Sequence, residues 1–165
     1  MNSIEASGMP GGRRPEALAG VLAGLVAGCA YLAAQMLFAR LAGGVGSEPL
    51  QRIAAMLLGP AVLPPPAQWS TTTVGIALIV HLPLSALYGR LIAMLVAHLD
   101  GFAVPALAGT VVGVVIYVVH RWIVAPSLFP WFEASRSMVT ALDHVLFGVV
   151  AATCCVALRR EPRGA

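Results

Sequence analysis

Five side chains able to hold a proton, a ligand or a hydrogen-bond partner stand inside otherwise apolar sequence: Gln35, His81, His120, Asp143 and His144. Imidazole ligates haem iron and metals, and it relays protons. A carboxylate next to it can orient the ring. An Asp at the middle of an apolar helix costs about 2.5–3.5 kcal/mol on insertion scales. Asp143 therefore needs a partner, and His144, His120, Arg121 and Arg136 are the candidates. The histidines show no ligand spacing along the chain. P-loop, dinucleotide, HExxH, GxSxG and CxxC patterns are absent. A site can form only through tertiary proximity. Its possible uses are a hydrogen-bond network that fixes helix register, ligation of haem or a metal, and a proton or solute path.

The elements that must position these residues are four long stretches almost without charge. Ala17 to Ala39 holds no Asp, Glu, His or Arg, and the run from Ile53 to Gly89 holds only His81. Gly101 to Val119 is uncharged, and Ser137 to Leu158 carries only Asp143 and His144. Each approaches or exceeds the roughly 20 residues that cross a bilayer as a helix. Composition agrees: 59% hydrophobic residues, 10% charged and a mean hydropathy of +0.87, against about a quarter charged in soluble domains. The reading is an all-α integral membrane protein, a four-transmembrane-helix bundle with a short interfacial helix in its first outer loop. Residues 1–15 read as a disordered tail, 16–158 as the membrane domain and 159–165 as a basic tail. The first apolar run, about 23 residues long, exceeds a signal-peptide core and reads as an uncleaved helix.

Helix boundaries follow from the breakers. Helix 1 is expected over about Glu16–Leu41, ended by Gly43, Gly44 and Gly46. Ser47 should cap a short amphipathic helix with Leu50, Ile53, Ala54 and Leu57 on its apolar face. Gly59-Pro60 and Pro64-Pro65-Pro66 stop it, and Trp69 sits where an interfacial anchor belongs. Helix 2 is expected over Thr71–His98 with Pro83 inside it, helix 3 over Val104–Val124 and helix 4 over Arg136–Leu158. Ala125 to Ser135, APSLFPWFEAS, reads as an aromatic interfacial loop. Ten arginines and no lysine give a net charge of +3. Arg13, Arg14, Arg90, Arg159, Arg160 and Arg163 fall toward the side of the chain ends. Arg40, Arg52, Arg121 and Arg136 fall toward the other. The bias favours cytoplasmic termini in a bacterial inner membrane, and so small a charge gives no reason to expect nucleic acid. Cys29, Cys154 and Cys155 read as apolar fillers.

Helical period sorts the small residues into faces. Gly20, Gly24 and Gly28 form a stripe in helix 1, with Gln35 one heptad beyond. Gly109 and Gly113 lead to Tyr117 and His120 in helix 3. His81, Ser85 and Gly89 follow at four-residue steps in helix 2, as do His144, Gly148 and Ala152 in helix 4. Small residues at this spacing let helix backbones approach closely. His81 lies roughly 14 Å and His144 roughly 12 Å along their helices at 1.5 Å per residue. ALAG at Ala17–Gly20 returns at Ala106–Gly109, with Gly24 and Gly113 at the same offset, which suggests two hairpins in one orientation.

The segments RIAAMLLGPAVLPPP, VHLPLSALYG and FPWFEASRSMVTALDHVLFG resemble a set of small four-helix bacterial inner-membrane proteins. The resemblance implies the compact membrane fold and brings no activity with it. The function expected is a non-enzymatic accessory subunit, or a small channel or carrier acting as an oligomer in the lipid bilayer or within a larger membrane complex. Neither a metal nor a cofactor is required by that reading. The alternative is a redox protein holding haem b between His81 and His144.

Overall fold

The computed structural model describes residues 13–63 and 70–160, and these are helical almost throughout. Trp69, the Pro64–Pro66 run and Arg163 lie outside them. Four helices are long and apolar enough to cross a membrane: Glu16–Leu41, Thr71–Leu95, Ala103–Leu128 and Met138–Arg160. The elements are α1 (Arg13–Leu41), α2 (Glu48–Leu58), α3 (Thr71–Leu95), α4 (Ala103–Val118), a π-helical stretch (Val119–Val124), α5 (Ala125–Leu128) and α6 (Met138–Arg160). Short 3-10 turns cover Pro60–Val62 and Pro130–Ser135. The third span is thus α4, the π stretch and α5 in sequence.

The four spans pack in the order α3, α1, α6, α4, and α3 and α4 barely touch. The order follows from which residues are small. α1 carries two adjacent stripes at four-residue spacing. Gly20, Gly24 and Gly28 lie against α3. Ala19, Ala23 and Ala27 are buried with Ala151 and Cys155 of α6. α6 repeats the device. Asp143, Phe147, Ala151 and Cys155 form one buried stripe, and Thr140, His144, Gly148, Ala152 and Val156 form the next. Gly148 of that second stripe meets the backbone of Gly109 and Gly113 in α4. Two stripes on each of two helices make α1 and α6 the centre of the bundle. α3 and α4 have one such stripe each and lie outside.

The two outer crossings share one register. A Cβ on Gly20 would stand 2.6 Å from Ala93 Cβ, and one on Gly109 would stand 2.9 Å from Ala152 Cβ. Gly24 faces Ser85 and Gly89, and Gly113 faces His144 across from Gly148. In this register Ser85 is the counterpart of His144, not His81. The sequence stripes, aligned on their histidines, are therefore one helical turn out of step. His81 lies four residues further along α3, on the turn that corresponds to Thr140.

Local differences from the sequence reading have identifiable causes. Ser47 makes no side-chain capping bond, because its backbone is already helical; its buried hydroxyl has no partner. α2 is rolled relative to the expected face. It buries Leu50, Gln51, Ala54 and Ala55, while Leu57 is 63% exposed. Leu50 and Ala54 join Leu32 and Ala77 in a small core between α2, α1 and α3, and contact with two long helices decides the roll. Ser70 does cap α3, accepting from the Thr73 amide at 3.4 Å. Gly101, at φ +74°, makes the tight link from α3 to α4 in a conformation that only glycine adopts without strain. α6 runs through Arg160, and Arg159 donates to the Val96 and Ala97 carbonyls at 3.0 and 3.1 Å, closing the end of α3.

A candidate ligand cavity

The third span does not stop at Val124. Pro126 has no amide hydrogen, so the carbonyl it would bond in a π turn, that of Arg121, is left without a helical donor. Arg136 supplies one: its Nε donates to the Arg121 carbonyl at 2.9 Å. The amide of Ala125 bonds to the His120 carbonyl, a five-residue step. π turns inside helices often mark functional positions. Here the turn holds His120 and Arg121.

A cavity of about 140 Å³ opens beside this turn, where α3 and the third span barely touch. Its polar lining is Tyr31 from α1, His81, Ser85 and Tyr88 from α3, His120 and Arg121 from the π turn, and His144 from α6. Its apolar lining includes Val80, Leu84, Val124 and Phe147. Ile53 and Met56 of α2, with Phe129 and Phe132 of the following loop, border it at the α2 end of the bundle. That border is stapled. Arg52 pairs with Glu48 within α2 and donates to Ser135 Oγ at 2.6 Å, and Trp131 Nε1 donates to the Arg52 carbonyl at 3.1 Å.

The imidazoles are held by specific bonds. A carbonyl can only accept, so His144 Nδ1 donates to Thr140 O at 2.7 Å. His81 Nε2 donates to Gly28 O at 3.0 Å, and Ser85 Oγ donates to the His81 carbonyl at 2.8 Å. His120 Nε2 and the Tyr88 hydroxyl are 2.7 Å apart. Aromatic rings pack around His144, with centroids at 5.1 Å for Tyr31, 5.6 Å for Tyr117 and 5.9 Å for His120. Tyr31 also stacks on His81 at 5.7 Å.

Arg121 differs from its neighbours. It is only 6% exposed. Its Nε has no hydrogen-bond partner, and Nη1 reaches the Phe132 carbonyl only at 3.5 Å. The guanidinium lies 5.0 Å over the Phe132 ring, with the Tyr31 hydroxyl beside it. Among the described residues the ion pairs are Arg52 with Glu48 and Arg136 with Glu133, and neither involves Arg121. Taking a charge out of water costs several kcal/mol unless it is paired.

The structure divides the five polar residues singled out from the sequence. His81, His120 and His144 converge on the cavity. Gln35 and Asp143 meet each other instead, the Gln35 amide donating to the Asp143 carboxylate, and neither lines the cavity. The partner of Asp143 is therefore a neutral amide, not His144, His120, Arg121 or Arg136. The reason is the α1 stripe: Gln35 lies eight residues beyond Ala27, on the face that meets α6. Gly20, Gly24, Gly28, Gly89, Gly109, Gly113 and Gly148, with Ser85, form the two crossings below the cavity.

The cavity does not fit a haem held by His81 and His144. The Nε2 of His81 is turned onto the Gly28 backbone. The Tyr31 ring occupies the space against both imidazoles. About 140 Å³ is close to the cavity of roughly 150 Å³ that holds a benzene, far from a macrocycle. Among the described residues no three His, Cys, Asp or Glu side chains are grouped to hold a metal ion.

Sequence reasoning offered Arg121 only as a possible partner of Asp143, although the signal for a buried position was present. The stripe of Gly109, Gly113 and Tyr117 continues at the same step to Arg121 and Ala125, both buried. Comparison with protein-family models, with curated proteins and with solved structures finds no match.

Proposed function

We propose that the chain is a multi-pass protein of a bacterial inner membrane, with both ends in the cytoplasm, that holds a small, largely apolar molecule between α3 and the third span. It works as a carrier or an accessory subunit and performs no chemistry of its own. The observation that carries this reading is the position of the cavity. It lies between two outer spans that touch little, bridged by Tyr88 and His120, while the glycine crossings bring backbone against backbone in the other half of the bundle. A gap between spans is an opening toward the bilayer for an apolar molecule. Among the described residues the cavity's lining reaches no further toward the chain ends than Tyr88 and Phe147, so passage across the membrane requires a second copy or a partner. The six arginines toward the chain ends against four toward the α2 end support the orientation. The exposed Leu57 and Leu58 support a seat for α2 at the bilayer surface.

Photolabelling in lipid nanodiscs tests this reading. The probe is an uncharged trifluoromethyl-phenyl diazirine, with labelled residues mapped by mass spectrometry. Labelling should concentrate on Val80, Leu84, Val124 and Phe147, and Leu84→Trp should remove it by filling the space. Labelling that merely follows lipid-exposed residues such as Leu91 and Leu107, unchanged by Leu84→Trp, would defeat the proposal.

A further inference from the structure

We infer that Arg121 is the seat of an anionic group on the ligand, and that the cavity takes a monocarboxylate carried on a single apolar ring or a short acyl segment. The inference rests on the cavity being a ligand site, as proposed above, and adds the chemical class of the ligand.

The first observation is the isolation of the cation. Arg121 lines the cavity, is more than nine-tenths buried and leaves Nε without any partner. The groups that touch it, the Phe132 carbonyl and ring and the Tyr31 hydroxyl, are all uncharged. The other arginines near that end are differently placed. Arg52 is partly exposed and holds Glu48, and Arg136 holds the Arg121 carbonyl and lies near Glu133. A buried guanidinium with an empty Nε is a donor fork awaiting an acceptor pair.

The second observation is the charge of the lining. Among the described residues no Asp or Glu lines the cavity, and the carboxylate of Asp143 is engaged by Gln35 on the α1–α6 seam. One fixed cation and no fixed anion match a ligand of one negative charge. The planar guanidinium accepts a carboxylate through two parallel bonds, and such charge-assisted pairs are about twice as strong as neutral ones.

The third observation is size and polarity. About 140 Å³ accommodates one ring or a chain of similar bulk, and Leu84, Val80 and Phe147 give it an apolar wall. A carboxylate on such a body has two sources. It can be a water-borne aryl carboxylate, or the head of a membrane fatty acid whose chain leaves through the gap between α3 and the third span.

Equilibrium dialysis of radiolabelled benzoate against the full chain in nanodiscs tests the inference. Benzoate should bind and methyl benzoate should not compete. Arg121→Met should weaken benzoate binding tenfold or more, with Arg121→Lys in between. Hexadecanoate in the nanodisc lipid should displace benzoate if the natural source is the bilayer. Benzoate binding without such displacement assigns a water-borne source. Thermal unfolding without ligand supplies an independent readout. Removing a buried cation that has no ion-pair partner among the described residues should leave Arg121→Met at least as stable as the parent chain. The inference is overturned if methyl benzoate competes as well as the acid, if Arg121→Met binds benzoate unchanged, or if that variant is destabilised. A chain that takes up the uncharged diazirine yet binds no carboxylate refutes this inference alone. One that takes up neither refutes the cavity reading beneath it.

Discussion

Replacing Gly89 by Ala should destabilise the protein, while replacing Gly75 by Ala should stabilise it, although both lie in α3. An alanine in place of glycine inside a helix gains about 1 kcal/mol of intrinsic propensity. At Gly75 nothing lies within 4 Å of the added methyl, so that gain is kept. At Gly89 the methyl would stand 2.5 Å from the Gly24 amide nitrogen, with the Gly24 Cα and Gly20 carbonyl nearer still. Restoring ordinary contact at 3.4 Å requires α1 and α3 to part by about 1 Å. The obstacles are backbone atoms, so no rotamer change can relieve them. Overpacking of a close-packed site costs about 1–3 kcal/mol and occasionally more, which outweighs the propensity gain. Both variants gain the same propensity, so they should differ by the overpacking cost, about 1–3 kcal/mol, with Gly75→Ala above the parent and Gly89→Ala below it. Unfolding by sodium dodecyl sulfate in mixed micelles, followed by far-ultraviolet circular dichroism, reads the difference. Gly89→Ala unfolding at or above the parent midpoint would refute the claim that the crossing is set by backbone contact.

Three further expectations use the same unfolding assay or hydrogen exchange. Gln35→Leu leaves the Asp143 carboxylate, 2% exposed, without its donor, and should cost about 1–3 kcal/mol or more, with Asp143→Leu in the same chain recovering most of the loss. Arg52→Ala removes a partly exposed ion pair and the bond to Ser135; it should cost less than about 1 kcal/mol globally yet speed amide exchange in Pro130–Ser135. Arg136→Ala uncovers the Arg121 carbonyl that Pro126 leaves without a helical donor, so exchange should rise in Val119–Val124 while the α1–α3 crossing keeps its protection.

The four long helices were legible because apolar length alone specifies them. The glycine stripes were legible because close approach requires small residues at a four-residue step. The register between helices was not, since each histidine stripe reads the same wherever its partner crosses it. Only the contacts of Gly24 with Ser85 and of Gly113 with His144 reveal the one-turn offset. Helix 3 was expected to end at Val124 because the segment after it, with its prolines and aromatics, read as an interfacial loop; Pro126, the first of those prolines, lacks an amide donor. Here a five-residue hydrogen-bond step and a distant arginine absorb the missing donor. Arg121 lay inside the expected helix 3 but was read only as a possible partner of Asp143 and as one of the charges opposite the chain ends. The roll of α2 was hidden for another reason: its own apolar pattern names one face, but the helices beneath it select another.

The tight crossings also bear on how the molecule can move. α1 cannot slide along α3, nor α4 along α6, without forcing one backbone through another. Each pair behaves as a stiff leaf. The seam between the leaves is lined by alanines and pinned by the Gln35–Asp143 bond near one end. The molecule is thus a book with α1 and α6 as its spine, its covers latched at α3 and the third span by the Tyr88–His120 bond and by the bonds of Arg52 with Ser135 and Trp131. Turning about that spine would widen the gap beside Arg121 only as those latches part, while both glycine contacts stay closed.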